Sequence, residues 1–214
     1  MKGTSKTSNL GWLIAAALAG SMVGSGFQGP TEKTGVVDLA KMVESSDFGK
    51  LNQASFNQMK QAREGVLEFM TQYPVFTQEQ AIRFRDLSIK ETAVKPEEKA
   101  ELDRIKADVI AADKKSKELS IKTNLTPEER TLITEYSNRA QAVAQTQDRW
   151  YREFTTDLQN WTDKQKVASI EKARAALTEV AKTQAFTTVF EVGVAPYGAN
   201  DLTDAALKAM NAKK

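Results

Sequence analysis

The chain has 214 residues, with 30 Lys and Arg, 28 Asp and Glu, and neither His nor Cys. The two absences exclude disulfides, thiolate nucleophiles, Cys–His dyads, Ser–His–Asp triads and zinc sites built on Cys or His. Hydrophobic residues are 41% and mean hydropathy is -0.46, which suits long thin helices better than a compact sphere.

The first predicted element is a targeting segment over residues 1–26. Lys2 and Lys6 precede an apolar, small-residue run from Leu10 through Ala19. A basic start, a short apolar stretch and the small-x-small Ala17-Leu18-Ala19 describe a signal peptide. The alternative is an uncleaved membrane anchor. Against it, the dense run falls short of the roughly 20 apolar residues of a spanning helix. Either way the bulk of the chain is expected outside the cytoplasmic membrane, in a periplasmic setting. Removing the segment takes two lysines from the 30 cations and nothing from the 28 acids. The remainder is neutral, so charge gives no reason to expect nucleic acid as a partner.

Residues 27–49 follow. Thr34-Gly35-Val36-Val37-Asp38-Leu39 is a short β-branched run behind a glycine and predicts a strand. Asp38 reads as a strand-end or capping residue.

Residues 50–183 read as helical. Gly65 and Gly193 bracket a span without glycine, interrupted only by Pro74, Pro96 and Pro127. Thr77-Gln78-Glu79-Gln80 and Thr126-Pro127-Glu128-Glu129 carry capping-box signatures, and Lys95-Pro96-Glu97-Glu98 repeats the second without a good cap. Glu128 and Glu129 are read as helix-start acids. Apolar seams recur in steps of three and four: Met59, Ala62, Val66, Phe69, Tyr73; then Leu102, Ile105, Val109, Ala112; then Ile133, Tyr136, Ala140, Val143, Trp150, Phe154. The seam shifts by one residue at Leu158. One helix from Thr126 to about Thr183 would be roughly 85 Å long at 1.5 Å per residue. The segment before it is too long for one antiparallel partner, so it must kink or double back, at Pro74 and Pro96.

Residues 184–214 close the chain. Phe186-Thr187-Thr188-Val189-Phe190-Glu191-Val192-Gly193 predicts a second strand, with Val194 to Gly198 as an edge or turn. Asn200-Asp201-Leu202-Thr203-Asp204 starts a last helix carrying Ala206, Leu207 and Met210. Two strands so short are marginal alone. They are expected to pair with each other and to need copies from other subunits. The fold class is therefore α+β, mostly α: a long antiparallel helical hairpin on a small β body. Val36, Val37, Leu39, Val189, Phe190 and Val192 are the candidate body residues.

Among side chains that could act, Trp150, Phe154 and Trp161 lie on the seam and read as packing. Tyr151 lies off it and is the candidate contact for a bound chain. Lys114-Lys115-Ser116-Lys117, flanked by Asp113 and Glu118, reads as a solvated face, with contact to a membrane surface as the alternative. No catalytic, cofactor or metal residues are assigned, and the chain is not read as an enzyme.

The layout resembles the Skp/OmpH family of periplasmic chaperones. The resemblance rests on the leader, Thr34 to Leu39 and Asp47-Phe48-Gly49-Lys50. At the other end it rests on Ile170 to Ala181, Thr187 to Val192, Ala195-Pro196-Tyr197, and Asp201 to Asp204 before an Ala/Leu-rich helix. It is closest over the last ~45 residues and in the middle amounts only to helicity. It implies a homotrimer whose three subunits share a β body, with helical arms enclosing unfolded outer-membrane or envelope proteins without ATP. The chain departs from the family pattern in its longer helical insertion and near-neutral charge. The alternative function is a membrane-tethered coiled-coil scaffold of the cell envelope.

Overall fold

The computed structural model describes residues 32–90 and 94–212. The element order is β1 (Thr34–Val37), α1 (Leu39–Ser45), α2 (Asp47–Gln72), α3 (Gln78–Ser88), α4 (Pro96–Ser120), α5 (Pro127–Thr183), β2 (Thr188–Glu191) and α6 (Thr203–Ala212). The described chain is thus a mostly helical α+β fold with one two-stranded sheet. The expected signal segment lies outside the described residues. No helix among the described residues is long and apolar enough to cross a membrane.

The chain divides into two units. The first comprises residues up to 53 and from 164 onward. Here β1 and β2 pair in parallel, with Gly35 opposite Val189 and Val36 opposite Phe190. The second edge of β1 is also used. Val36 N–H donates to the Asn200 carbonyl at 2.7 Å, and Leu202 N–H donates to the Val36 carbonyl at 2.8 Å.

Helix α1 starts at Asp38, whose carboxylate accepts from the Lys41 N–H at 2.7 Å. That satisfies one of the orphan donors of a helix start. The core of this unit holds Val37, Leu39, Met42, Ala173, Ala176, Ala206 and Met210. Helix α1 packs closely on α6, and Met42 of α1, fully buried, joins the alanines of α5 and α6 in this cluster.

Helix α5 stops without a glycine. Ala185 adopts a positive φ of 57°. The Phe186 N–H reaches the Ala181 carbonyl at 2.9 Å and the Ala185 N–H reaches Lys182 at 3.2 Å. This is the double bond of a Schellman stop, with alanine where glycine is usual.

The second unit comprises residues 54–163. Its core runs from Val66 and Met70 through Val75, Phe76, Ala81, Phe84 and Leu87 to Ile105, Val109, Tyr136, Val143, Trp150 and Phe154. The chain does double back at Pro74. Thr77 and Gln80 form a reciprocal capping box, with the Gln80 N–H donating to Thr77 Oγ1 at 3.1 Å and the Thr77 N–H to Gln80 Oε1 at 3.0 Å. Phe84 then returns to within 5.0 Å of Phe69, and Phe76 lies 5.3 Å from Phe84 between ring centroids. Phe76 and Thr77 share a groove with α5 residues from Ala142 to Trp150, whereas Arg85 lies over Trp150 at 4.8 Å and reaches on to Glu153 at 3.8 Å. So α3 runs parallel to α5 and reverses the direction of α2.

Arg83 clamps α4 with two bonds to Glu101, at 2.7 and 2.6 Å. The α4–α5 turn ends in the expected capping box, the Glu129 N–H donating to Thr126 Oγ1 at 3.3 Å and the Thr126 N–H to Glu129 Oε2 at 3.1 Å. Lys95 is a poor side-chain cap, but its N–H donates to Glu98 Oε2 at 3.0 Å, so Glu98 supplies half of a box.

Candidate functional site

The six candidate body residues fall into two groups. Val36, Val37 and Leu39 are buried within the single chain, at 5%, 2% and 2% exposure. Val189 packs against the same core, and the Val192 N–H donates to the Val37 carbonyl at 2.9 Å. Phe190 is the exception, with 41% exposure. It stands on β2, which among the described residues has a strand partner on one side only.

Beside Phe190 the chain turns, the Val194 N–H donating to the Glu191 carbonyl at 2.8 Å. The turn brings Val194, 58% exposed, and Tyr197, 98% exposed, round to Phe190 and Val36. Together they line a groove of ≈ 430 Å³. Gly198 lies against Val36, where a Cβ would stand 2.0 Å from Cγ1, so any side chain there would lift the turn off the strand. The result is an apolar face on a two-stranded sheet, with an aromatic ring at its rim. The sequence marks 194–198 as an edge or turn but gives no sign that Tyr197 is left uncovered.

Charges gather at the other end of the same strands. The Asp38 N–H donates to Thr203 Oγ1 at 2.9 Å, joining the start of α1 to the start of α6. Lys41 pairs with Asp204 at 3.1 Å, and this hydrogen bond, with the charge behind it, raises the lysine above its ordinary value. The Thr203 hydroxyl and N–H hold the Asp201 carboxyl below the usual range. Glu191 behaves oppositely. Burial pushes it up, the Val192 N–H opposes, Asp38 adds to the rise and the Leu39 N–H again opposes.

In the second unit Trp150 and Phe154 are buried at 1% and 5%, as expected of packing residues, while Tyr151 is 64% exposed. Of the lysine run, Lys117 pairs with the buried Asp113 at 2.6 Å, which makes this stretch partly a helix staple. Glu128 and Glu129 are held below the ordinary range, Glu128 by backbone and Thr126 hydrogen bonds and Glu129 first by Lys122. Arg63 was not singled out by the sequence and is 9% exposed. It donates to the Met59 carbonyl, stacks at 5.7 Å over Phe154 and leaves Nε without a partner.

In comparisons with known proteins, no family model, no curated sequence and no solved structure matches this chain.

Proposed function

We propose that the protein is an ATP-independent holdase of the Skp/OmpH type, exported to the periplasm, that keeps unfolded outer-membrane or envelope proteins from aggregating. In this reading several copies, three by the family resemblance, join through the first unit. Their helical segments act as the limbs of hairpin arms around a bound chain. The grip is a sum of weak apolar contacts that requires no fixed partner geometry, so diverse extended chains fit and no nucleotide is consumed. Tyr151 is the side chain assigned to touch them.

The observation that carries the reading is the unfinished sheet. A two-stranded sheet is marginal in water. Among the described residues, this one leaves an edge of β2 without a strand partner and keeps Phe190, Val194 and Tyr197 exposed beside it. Such an apolar face marks an interaction surface, and a second copy of the same unit would both extend the sheet and cover the rings. The parallel pairing of β1 with β2 also makes the whole span from α1 to α5 an insertion between two neighbouring strands, as a limb emerging from a shared hub requires.

The test uses purified chain lacking residues 1–26. Light scattering should give about three subunits. A several-fold excess of that species should suppress aggregation of an unfolded β-barrel protein on dilution from urea, and Phe190→Glu with Tyr197→Glu should dissociate it. A monomer at all concentrations, or an assembly that leaves aggregation unchanged, refutes the reading.

A further inference from the structure

Glu191 is the last residue of β2, opposite Val37 in the parallel register. Its Oε2 is buried and has no hydrogen-bond partner. The backbone N–H groups of Leu39 and Val192 lie against the carboxyl, yet removal from water outweighs them. An ionised carboxylate has only acceptor sites, about four of them. Here Oε2 faces no donor, and among the described residues the half-buried carboxylate has no cation against it to offset its partial loss of water.

The neighbouring charge has the same sign. Asp38, at the start of α1, acts on Glu191 and raises its proton affinity further. The single cation of α1, Lys41, is turned to Asp204 at the start of α6. Asp201, which precedes α6, is engaged by Thr203. Neither β1 nor the part of α6 that reaches the core offers Glu191 a positive partner: Thr34–Val37 is uncharged, and Ala206 and Met210 are the core contacts.

We propose that Glu191 is an acid-responsive clasp: uptake of one proton from solvent at its carboxyl tightens the junction of β1, β2 and α1 as pH falls toward the ordinary glutamate value. Protonation gives the carboxyl an O–H donor, removes a half-buried charge and ends its repulsion with Asp38. No other bond changes. The sign follows from linkage. The folded form holds the proton more tightly than the unfolded chain, whose glutamate has its ordinary value of 4.5. Stability therefore rises as pH falls through the folded-state value, and the gain is complete below the ordinary one. Asp201 acts in a lower window, because its own contribution is lost only below its ordinary 3.8. The two effects do not overlap. This inference stands whether or not the chain is a chaperone.

The test is hydrogen exchange of the full mature chain at about pH 7.5 and about pH 4.5, corrected for the intrinsic pH dependence of exchange. The peptides over 34–45 and 188–192 should gain protection at the lower pH, and the peptides of residues 96–120 should not. Glu191→Gln, a neutral isostere, should hold 34–45 and 188–192 at the higher protection at both values. Asp38→Asn keeps a capping acceptor but removes the facing charge, and should weaken the response. Equal pH responses in wild type and Glu191→Gln would overturn the proposal. A second measurement does not depend on a variant folding: carbon NMR titration of the Glu191 carboxyl in the wild-type chain. A midpoint above the ordinary glutamate range supports the clasp, and one within or below that range refutes it.

Discussion

Gly49 and Gly65 both lie on α2, and alanine at each adds the same methyl group with opposite expected results. At Gly65 a new Cβ meets nothing within 4 Å. The gain is then the lower entropy of the unfolded chain and the better helix propensity, about 0.5–1 kcal/mol. At Gly49 the new Cβ would stand 1.9 Å from the Val43 carbonyl oxygen and 3.0 Å from its carbon. Since C···O contacts are ordinarily about 3.3 Å or more, the corner between α1 and α2 must open by about 1.4 Å. That carbonyl also accepts from Ser46 Oγ at 2.8 Å, and the same hydroxyl receives the Gly49 N–H at 2.9 Å. Ser46 is fully buried, so a loosened corner leaves its polar atoms without water as a substitute. Overpacking at about 1–3 kcal/mol and a weakened cap at about 1 kcal/mol exceed the propensity gain, for a net loss of about 1–3 kcal/mol. At about 2–4 °C per kcal/mol for a chain of this length, Gly65→Ala should raise Tm by about 1–4 °C and Gly49→Ala should lower it by about 2–12 °C. Circular dichroism melts at equal protein concentration measure both. Hydrogen exchange should place the Gly49→Ala loss at residues 39–53. Two shifts of the same sign would refute the steric reasoning.

Four further outcomes rest on particular side chains. Ala185→Gly relieves a left-handed alanine at the stop of α5, and should stabilise the first unit by about 1 kcal/mol in urea unfolding. Trp150→Ala empties a position 1% exposed and should cost about 3–5 kcal/mol, whereas Tyr151→Ala, at 64% exposure, should stay within about 0.5 kcal/mol. If Tyr151 grips a bound chain, its variant alone should weaken aggregation suppression while leaving the melt unchanged. Glu98, Glu101, Glu128 and Glu129 are all held below their ordinary 4.5. Their contribution is present above that value and is lost as pH falls below it, so the capped starts of α4 and α5 should fray there in an acid exchange series.

Much of this architecture could be read from residue spacing, because its causes are local. The starts of α3, α4 and α5 are written in Thr77, Pro96 and Thr126 and in the acid or amide three places after the capping position. The seams of α4 and α5 are periodic enough to give Ile105, Val109, Tyr136, Val143, Trp150 and Phe154 as buried before any neighbour is known. The return at Pro74 was also legible, as a mismatch of lengths. Its filling was not. Val75 and Phe76 are buried in an irregular link, where no period applies, and what they cover is decided by Phe69 and Phe84 from other turns of the chain. The parallel sense of β1 and β2 was likewise invisible, since two short apolar runs pair equally well in either direction until the elements around them fix their ends.

Arg63 and Glu191 show a different kind of blindness. The α2 seam, read by its apolar members, places Ala62 on the buried side, yet Arg63 is the more buried of the two. A helix seam has width, and the long stem of an arginine can lie along it while Phe154 receives the guanidinium face. Glu191 sits in a strand otherwise made of Thr, Val and Phe, and a charge in such a run reads as an outward-facing residue. Its placement depends on where α1 begins. Asp38 ends β1 and caps α1 in one step, so the backbone turns there toward the end of β2 and brings two acids together. Periodicity counts apolar residues and is silent about a charge at an interior phase. That silence covers the two positions with orphaned buried polar atoms among the described residues, Arg63 Nε and Glu191 Oε2. Stability cannot account for an orphan, because an unpartnered buried polar atom lowers it. What separates the two is proton affinity. A guanidinium stays charged throughout the physiological range, whereas a carboxylate can discharge, so only at Glu191 can the cost of the orphan be turned into a response to the medium.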